Sequence, residues 1–363
     1  MYSIFHIHPC PDEFLAKLIS SVYSSWRACC VEGIESKDTS EVAMCRLARL
    51  LFIVGQGALC VLLYTEKLAG VSKKAVEAKE RGSMAKGEGP EQKSGSYEDN
   101  AEVDAMEEEM GMAAAADAEH EKEFNAVLES ELVCNEDNIL GKFHGLAAFI
   151  VANATKQYSQ PLLRESAILS LCRYMSVSSV LCEKYLPLFF TVLEREQSEA
   201  IRTSMIIAAG DLCFRFPNAL EPWTAHMYGR LTDANLLVRY NTLMVLTHLI
   251  LNDMIKVKGQ VSCMVLCLTD SVEKVRCLAR LFFTELSKRS NNPVYNLLGD
   301  IISTLSRDTA VVTVGVGDDL TVQPSEDMGA ATLALAVPQH RLLTAEEFHV
   351  TMTFLLSFVT KDR

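Results

Sequence analysis

The chain has 363 residues, 49% of them apolar and 22% charged, and a formal net charge of −13 at neutral pH. That length accommodates two domains or one long array of repeats, and the apolar share is ample for a core. The charge argues against a polyanionic partner for the chain as a whole, but it is unevenly spread: residues 71–140 hold 7 basic and 19 acidic side chains, residues 141–310 hold 18 and 14.

The first ten residues, MYSIFHIHPC, lack the basic segment and apolar block of a signal peptide. Residues 10–30 read as one amphipathic helix and 41–69 as a longer one. In the second, Leu47, Leu50, Leu51, Val54, Ala58 and Val61 recur at three- and four-residue steps, which is one helical face. The run from Leu50 to Tyr64 is short for a membrane span, which takes about 20 apolar residues, and includes Gly55, Gln56 and Gly57, so a buried helix is expected and no membrane partner. Residues 1–70 thus form an N-terminal helical segment. Residues 71–131 change character to Lys, Glu, Gly and Ala, with Glu107, Glu108 and Glu109 in a row; such a tract buries too little apolar area to offset its ordering entropy and is expected to be an acidic disordered linker.

Residues 132–308 carry the main signal. Arg164, Arg202, Arg239 and Arg276 follow one another at intervals of 38, 37 and 37 residues, each after an aliphatic residue, and Asp233 and Asp270 stand five residues before Val238 and Val275. A fixed period of this size marks stacked helix pairs. One unit has a first helix from Pro217 to Leu231, a turn at Thr232–Ala234 and a second helix from Asn235 to Leu251. In the next, Val257, Val261, Met264, Val265 and Leu268 make one stripe and Val275, Leu278, Ala279, Phe282 and Leu286 another, with Asp270 placed to cap the second helix. Leu281 and Phe283 lie off the stripe, as a helix sandwiched between repeats requires. A further first-type helix covers Val294 to Leu305. Residues 309–341, rich in Val, Thr, Gly and Ala, read as a loop insertion, and residues 342–363 as a final helix in which Thr344 and Glu347 have capping-box spacing. The expected fold is all-α: a HEAT-repeat α-solenoid, a right-handed superhelix of antiparallel helix pairs.

Reaction chemistry is absent from the text. There is no phosphate-binding GK[ST] loop, no GxSxG and no HExxH. His6, His8 and Cys10 are closely spaced, but nothing nearby completes a tetrahedral zinc site, so neither metal nor cofactor is expected. No CxxC occurs, and Cys172, Cys213, Cys263, Cys267 and Cys277 read as small buried hydrophobes in a reducing compartment. His248, on an apolar helix, reads as a hydrogen-bonded core residue. Each repeated arginine occupies the same position of its unit, so Arg164, Arg202, Arg239, Arg276, Asp233 and Asp270 are expected to form a structural ladder. Lys256, Lys258, Arg280, Lys288 and Arg289 fall outside that period and are the candidate contacts for a partner or for DNA; phosphate neutralisation by such residues is salt-sensitive and sequence-independent.

Asp233-x4-Val238-Arg239 and Asp270-x4-Val275-Arg276-x2-Ala279 resemble the HEAT signature, although Met205 and Thr242 stand where a small Ala is usual. Longer stretches, from Ile201-Arg202 through Phe214-Arg215-Phe216-Pro217-Asn218, Glu221-Pro222-Trp223-Thr224, Asn241 to Gln260 and Leu281 to Thr304, resemble condensin complex subunit 1, the HEAT-repeat regulatory subunit of condensin I. That resemblance, toward the later part of a longer family member, implies a non-catalytic scaffold on mitotic chromosomes in the nucleus, with a cytoplasmic pool. Its implied partners are a kleisin subunit, the SMC ATPase heads and sequence-independent double-stranded DNA. No Ser-Pro or Thr-Pro occurs, so proline-directed phosphorylation does not carry over. The repeats taken alone also fit a generic HEAT adaptor for transport or phosphatase assembly, or a truncated fragment.

Overall fold

A computed structural model describes residues 2–32, 37–84, 122, 126–135, 137–153, 158, 160–255, 261–289, 293–306 and 343–358. Every regular element among the described residues is helical. The fold is all-α and divides into two compact units, Met1–Val192 and Leu193–Arg363, each built of serially packed helices.

The first unit opens with α1 (Tyr2–Ile7), α2 (Pro11–Glu32) and α3 (Lys37–Met84). A π-helical segment, Val127–Cys134, leads to α4 (Gly141–Ala152), α5 (Pro161–Val177) and α6 (Ser179–Arg195). The apolar face of α3 does what its spacing dictates: Leu47, Leu50, Leu51, Val54 and Ala58 are buried, and α3 packs along α5 and α2. Glu41–Lys74 is long and apolar enough to cross a membrane by length and composition, but over half of its most apolar window is buried against protein. Gly55 sets the approach of α3 to α5: a Cβ there would stand 2.7 Å from the Cα of Ser170. Two buried tyrosine hydroxyls tie α5 to the start of α4, and α6 to α4. Tyr174 Oη donates to the Leu140 carbonyl at 2.7 Å, and Tyr185 Oη pairs with His144 Nδ1 at 2.9 Å.

Several expectations change here. Helix α3 continues to Met84, past the Val71 at which the linker was expected to begin, because Lys, Glu and Ala are strong helix formers. Residues 85–121 and the insertion at 309–341 lie outside the described residues.

The second unit contains α7 (Glu199–Arg215), a broken first helix, α10 (Leu236–Leu251), a second broken helix, α12 (Glu273–Ser287), α13 (Pro293–Ser306) and α14 (Ala345–Leu356). The first-helix position is not the single run from Pro217 to Leu231. It comprises α8 (Pro217–Leu220), a 3-10 turn (Glu221–Trp223), α9 (Thr224–Gly229) and a second 3-10 turn (Arg230–Thr232). Pro222 has no amide to donate, so the i→i−4 pattern cannot run through it. The equivalent stretch one repeat later is α11 (Ser262–Val265) followed by the 3-10 turn Leu266–Thr269, which again presents Val261, Met264, Val265 and Leu268 to the core.

The second helices α7, α10 and α12 lie side by side and make the core layer of this unit. Gly210 allows the first of these contacts, since a Cβ there would meet Val245 Cγ1 at 2.7 Å. Val238, Leu243, Leu246 and Ile250 of α10 and Val275, Ala279, Phe282, Phe283 and Leu286 of α12 are fully buried, each large one contributing about 1.5–3 kcal/mol. Phe283 therefore lies between layers as the wide apolar coverage implies, whereas Leu281 faces solvent. At the final helix, Thr344 Oγ1 accepts the Glu347 amide at 3.2 Å and Glu347 Oε2 accepts the Thr344 amide at 2.9 Å, a complete capping box.

Candidate partner-binding surface and its arginine ladder

The repeated arginines do the same thing in successive turns. Arg202 grips Asp233 with both arms, Nε to Oδ2 at 2.9 Å and Nη2 to Oδ1 at 2.9 Å, while Nη1 donates to the carbonyls of Glu196 at 3.0 Å and Gln197 at 2.8 Å. One repeat later, Arg239 grips Asp270 at 2.8 Å and 3.2 Å and donates to the carbonyls of Asp233 at 2.9 Å and Ala234 at 3.0 Å. Each guanidinium thus closes the turn before its own helix and holds the aspartate of the next turn, 31 residues on. Both pairs are largely buried, and a bidentate fork is the geometry in which an arginine–carboxylate pair is strongest.

The ends of the series differ. Arg276 Nη1 donates to the Asp270 carbonyl at 2.6 Å, the same backbone role, but its other arm meets Glu273 in its own helix. Arg164 donates to the Val151 carbonyl at 3.4 Å.

Asp270 does not cap α12. Its Oδ1 accepts the Val272 amide at 2.8 Å, and Val272, the N-cap residue, makes no side-chain cap bond. One repeat earlier Asn235 caps α10 through Leu237 N and Val238 N, while Asp233 stays with the ladder. Burial alone would raise the Asp270 pKa. The Arg239 hydrogen bonds, the Val272 amide, the Arg239 charge and Ser271 together outweigh burial and hold the carboxyl below the usual carboxylate range.

The three candidate contact residues that the structure describes each have a carboxylate close by. Arg280 Nη1 lies 3.8 Å from Glu273, Lys288 Nζ 2.8 Å from Glu285, and Arg289 Nη1 2.5 Å from Asp253. Lys256 and Lys258 lie outside the described residues. His248 is exposed, with Asn252 Nδ2 against its ring nitrogen at 3.1 Å; among the described residues the buried hydrogen-bonded histidine is His144. Cys172, Cys213 and Cys267 are buried, Cys263 is half-buried and Cys277 is exposed. Burial pushes the Cys267 thiol up to about 12, and the Cys277 thiol is raised mainly by its hydrogen bond to Glu273.

One surface feature is a column of apolar side chains, of which the sequence reading singled out Leu281 alone and expected it between repeats. Ile207, Met244 and Leu281 are 43%, 42% and 54% exposed. They occupy the same position of α7, α10 and α12, five residues after the ladder arginine in each. Helices held side by side by the ladder therefore carry an aligned apolar column on their outer face, with Leu237 and Phe214 exposed on the same helices. The signal was available in the text as a second 37-residue period.

A family model described as non-SMC mitotic condensation complex subunit 1 matches residues 200–363, the unit that holds the ladder. Condensin-1 complex subunit CAP-D2 of Arabidopsis thaliana is 37% identical over 319 residues, 84% of this chain and 22% of that one. The chain belongs to the condensin subunit 1 family. Condensin complex subunit 1 of Xenopus laevis is 35% identical over 342 residues, 92% of this chain, and that of Saccharomyces cerevisiae 34% over 318 residues, 87% of it. This condensin subunit 1 chain spans about a fifth to a quarter of the length of those relatives. The condensin-2 subunit CAP-D3 of Arabidopsis thaliana aligns with only 38% of it.

Proposed function

We propose that this chain is a non-catalytic scaffold within condensin, and that the outer face of α7, α10 and α12 takes an extended segment of the kleisin subunit. The observation that carries this reading is the aligned column of Ile207, Met244 and Leu281. Solvent-exposed apolar side chains repeated in register on three adjacent helices offer evenly spaced anchor points, which suits an extended peptide better than a small molecule. The ladder serves that surface by fixing the spacing of the helices that present it. Through the kleisin the chain is brought near the SMC ATPase heads and acts on mitotic chromosomes in the nucleus.

Kleisin is favoured over duplex DNA as the direct partner of this face. Arg280, Lys288 and Arg289 each have a carboxylate at hand, so phosphate would have to displace an existing ion pair. The test is co-purification of the chain with the condensin kleisin. Substitution of Ile207, Met244 and Leu281 together by serine should abolish it, and retention of full binding by that folded variant would refute the assignment.

A further inference from the structure

A second binding feature lies in the first unit. Helices α2, α3 and α5 enclose a cleft of about 620 Å³, within the range of about 300–1,000 Å³ usual for ligand pockets. Its charged lining is Arg46 and Arg49, and no carboxylate lines it. Arg46 is already oriented, since its Nη1 donates to the Ser25 carbonyl at 2.7 Å and to Ser25 Oγ at 3.0 Å. Beside the cations stand two apolar side chains that the fold leaves in water, Phe52 at 45% and Leu162 at 52% exposure. The guanidinium of Arg173 lies 4.8 Å from the Phe52 ring centroid, and its Nη1 is buried with no hydrogen-bond partner among the described residues, which places a third positive charge beside Phe52.

We propose that this cleft binds an acidic peptide segment of a partner subunit, with carboxylates on Arg46 and Arg49 and an apolar side chain against Phe52 and Leu162. A nucleic acid fits less well. Two lining cations are few for a phosphate backbone but enough to pair with the carboxylates of a short acidic segment. Assigning the segment to a partner subunit rests on the complex-scaffold reading; the chemistry of the cleft does not.

The test is fluorescence anisotropy with the full 363-residue protein and a labelled twelve-residue peptide alternating Glu and Leu, against the same peptide with Gln for Glu. The Glu peptide should bind at least tenfold more tightly than the Gln peptide. Arg49→Glu should remove that preference, and Arg49→Lys should keep most of it. Arg49 is exposed, so its substitution leaves the fold in place, which thermal unfolding will verify. Phe52→Ser should weaken the Glu peptide about tenfold. Equal affinity for both peptides, or no effect of Arg49→Glu, overturns the site. If deletion of residues 101–112 tightens peptide binding tenfold or more, the chain's own acidic stretch is the occupant and the partner assignment fails. The kleisin does not enter this assay, so failure here leaves the kleisin reading standing, and the reverse holds too.

Discussion

Arg239 holds both carboxylate oxygens of Asp270 while its remaining nitrogen closes the turn that contains Asp233, whose own carboxylate is held by Arg202. Each aspartate is therefore used twice, its side chain by the preceding repeat and its backbone carbonyl by its own. This interlock joins each repeat to the next through side chains, beside the Asn235–Glu199 and Arg289–Asp253 hydrogen bonds. It also makes the ladder cooperative, because loosening one arginine frees groups in two turns.

Arg239→Ala should destabilise the protein by about 3 kcal/mol, because it leaves the Asp270 carboxylate largely buried and unpaired. Arg239→Lys should recover little of this, since an ammonium cannot reproduce the two-armed grip and the two carbonyl bonds together. Urea unfolding measures both. A double-mutant cycle with Asp270→Ala should give a coupling above about 1 kcal/mol.

The same pair predicts an acid dependence. The folded-state pKa of Asp270 is depressed, so its contribution is fully present above the unfolded value of about 3.9 and is lost as pH falls through the folded value. Between pH 6 and pH 3 the urea midpoint of the wild type should drop more steeply than that of Asp270→Asn, which has no carboxylate to protonate. Parallel curves would remove Asp270 from the account of acid stability.

Gly55→Val should be costly for a different reason. Side-chain atoms at position 55 would collide with the backbone of Ser170, which cannot turn aside as a rotamer can. Overpacking of this kind costs about 1–3 kcal/mol, and α3 and α5 should show faster amide exchange.

Much of this architecture was legible in the text. The 37-residue interval, the stripes on α3, α10 and α12 and the capping box at Thr344 all express local periodicity, which needs no knowledge of neighbours. Asp270 was misassigned as a cap because its bidentate partner sits 31 residues earlier, and a turn aspartate looks the same in either role. His144 and His248 both stand on apolar helices; which one is buried depends on the face that meets another helix. The outer column of Ile207, Met244 and Leu281 was overlooked because an exposed apolar residue on an apolar helix reads as core until packing shows which side is covered.

Cysteine chemistry should follow burial. Cys277, Cys10 and Cys30 are exposed and should react with maleimide under native conditions, while Cys267 and Cys182, whose thiols burial pushes up to about 12, should react only on unfolding. Glu273→Gln should speed modification of Cys277, because the hydrogen bond to Glu273 is the main reason its thiol resists ionisation. Mass spectrometry of the labelled protein reads out each site.

The most direct measurement is the affinity of the condensin kleisin for the wild-type chain and for the variant with serine at Ile207, Met244 and Leu281. These side chains are exposed, so each substitution should change stability by no more than about 0.5 kcal/mol. Loss of binding by at least tenfold in a variant that unfolds at the wild-type urea concentration is the predicted result. Undiminished binding would mean that the ladder-aligned column is not the docking face.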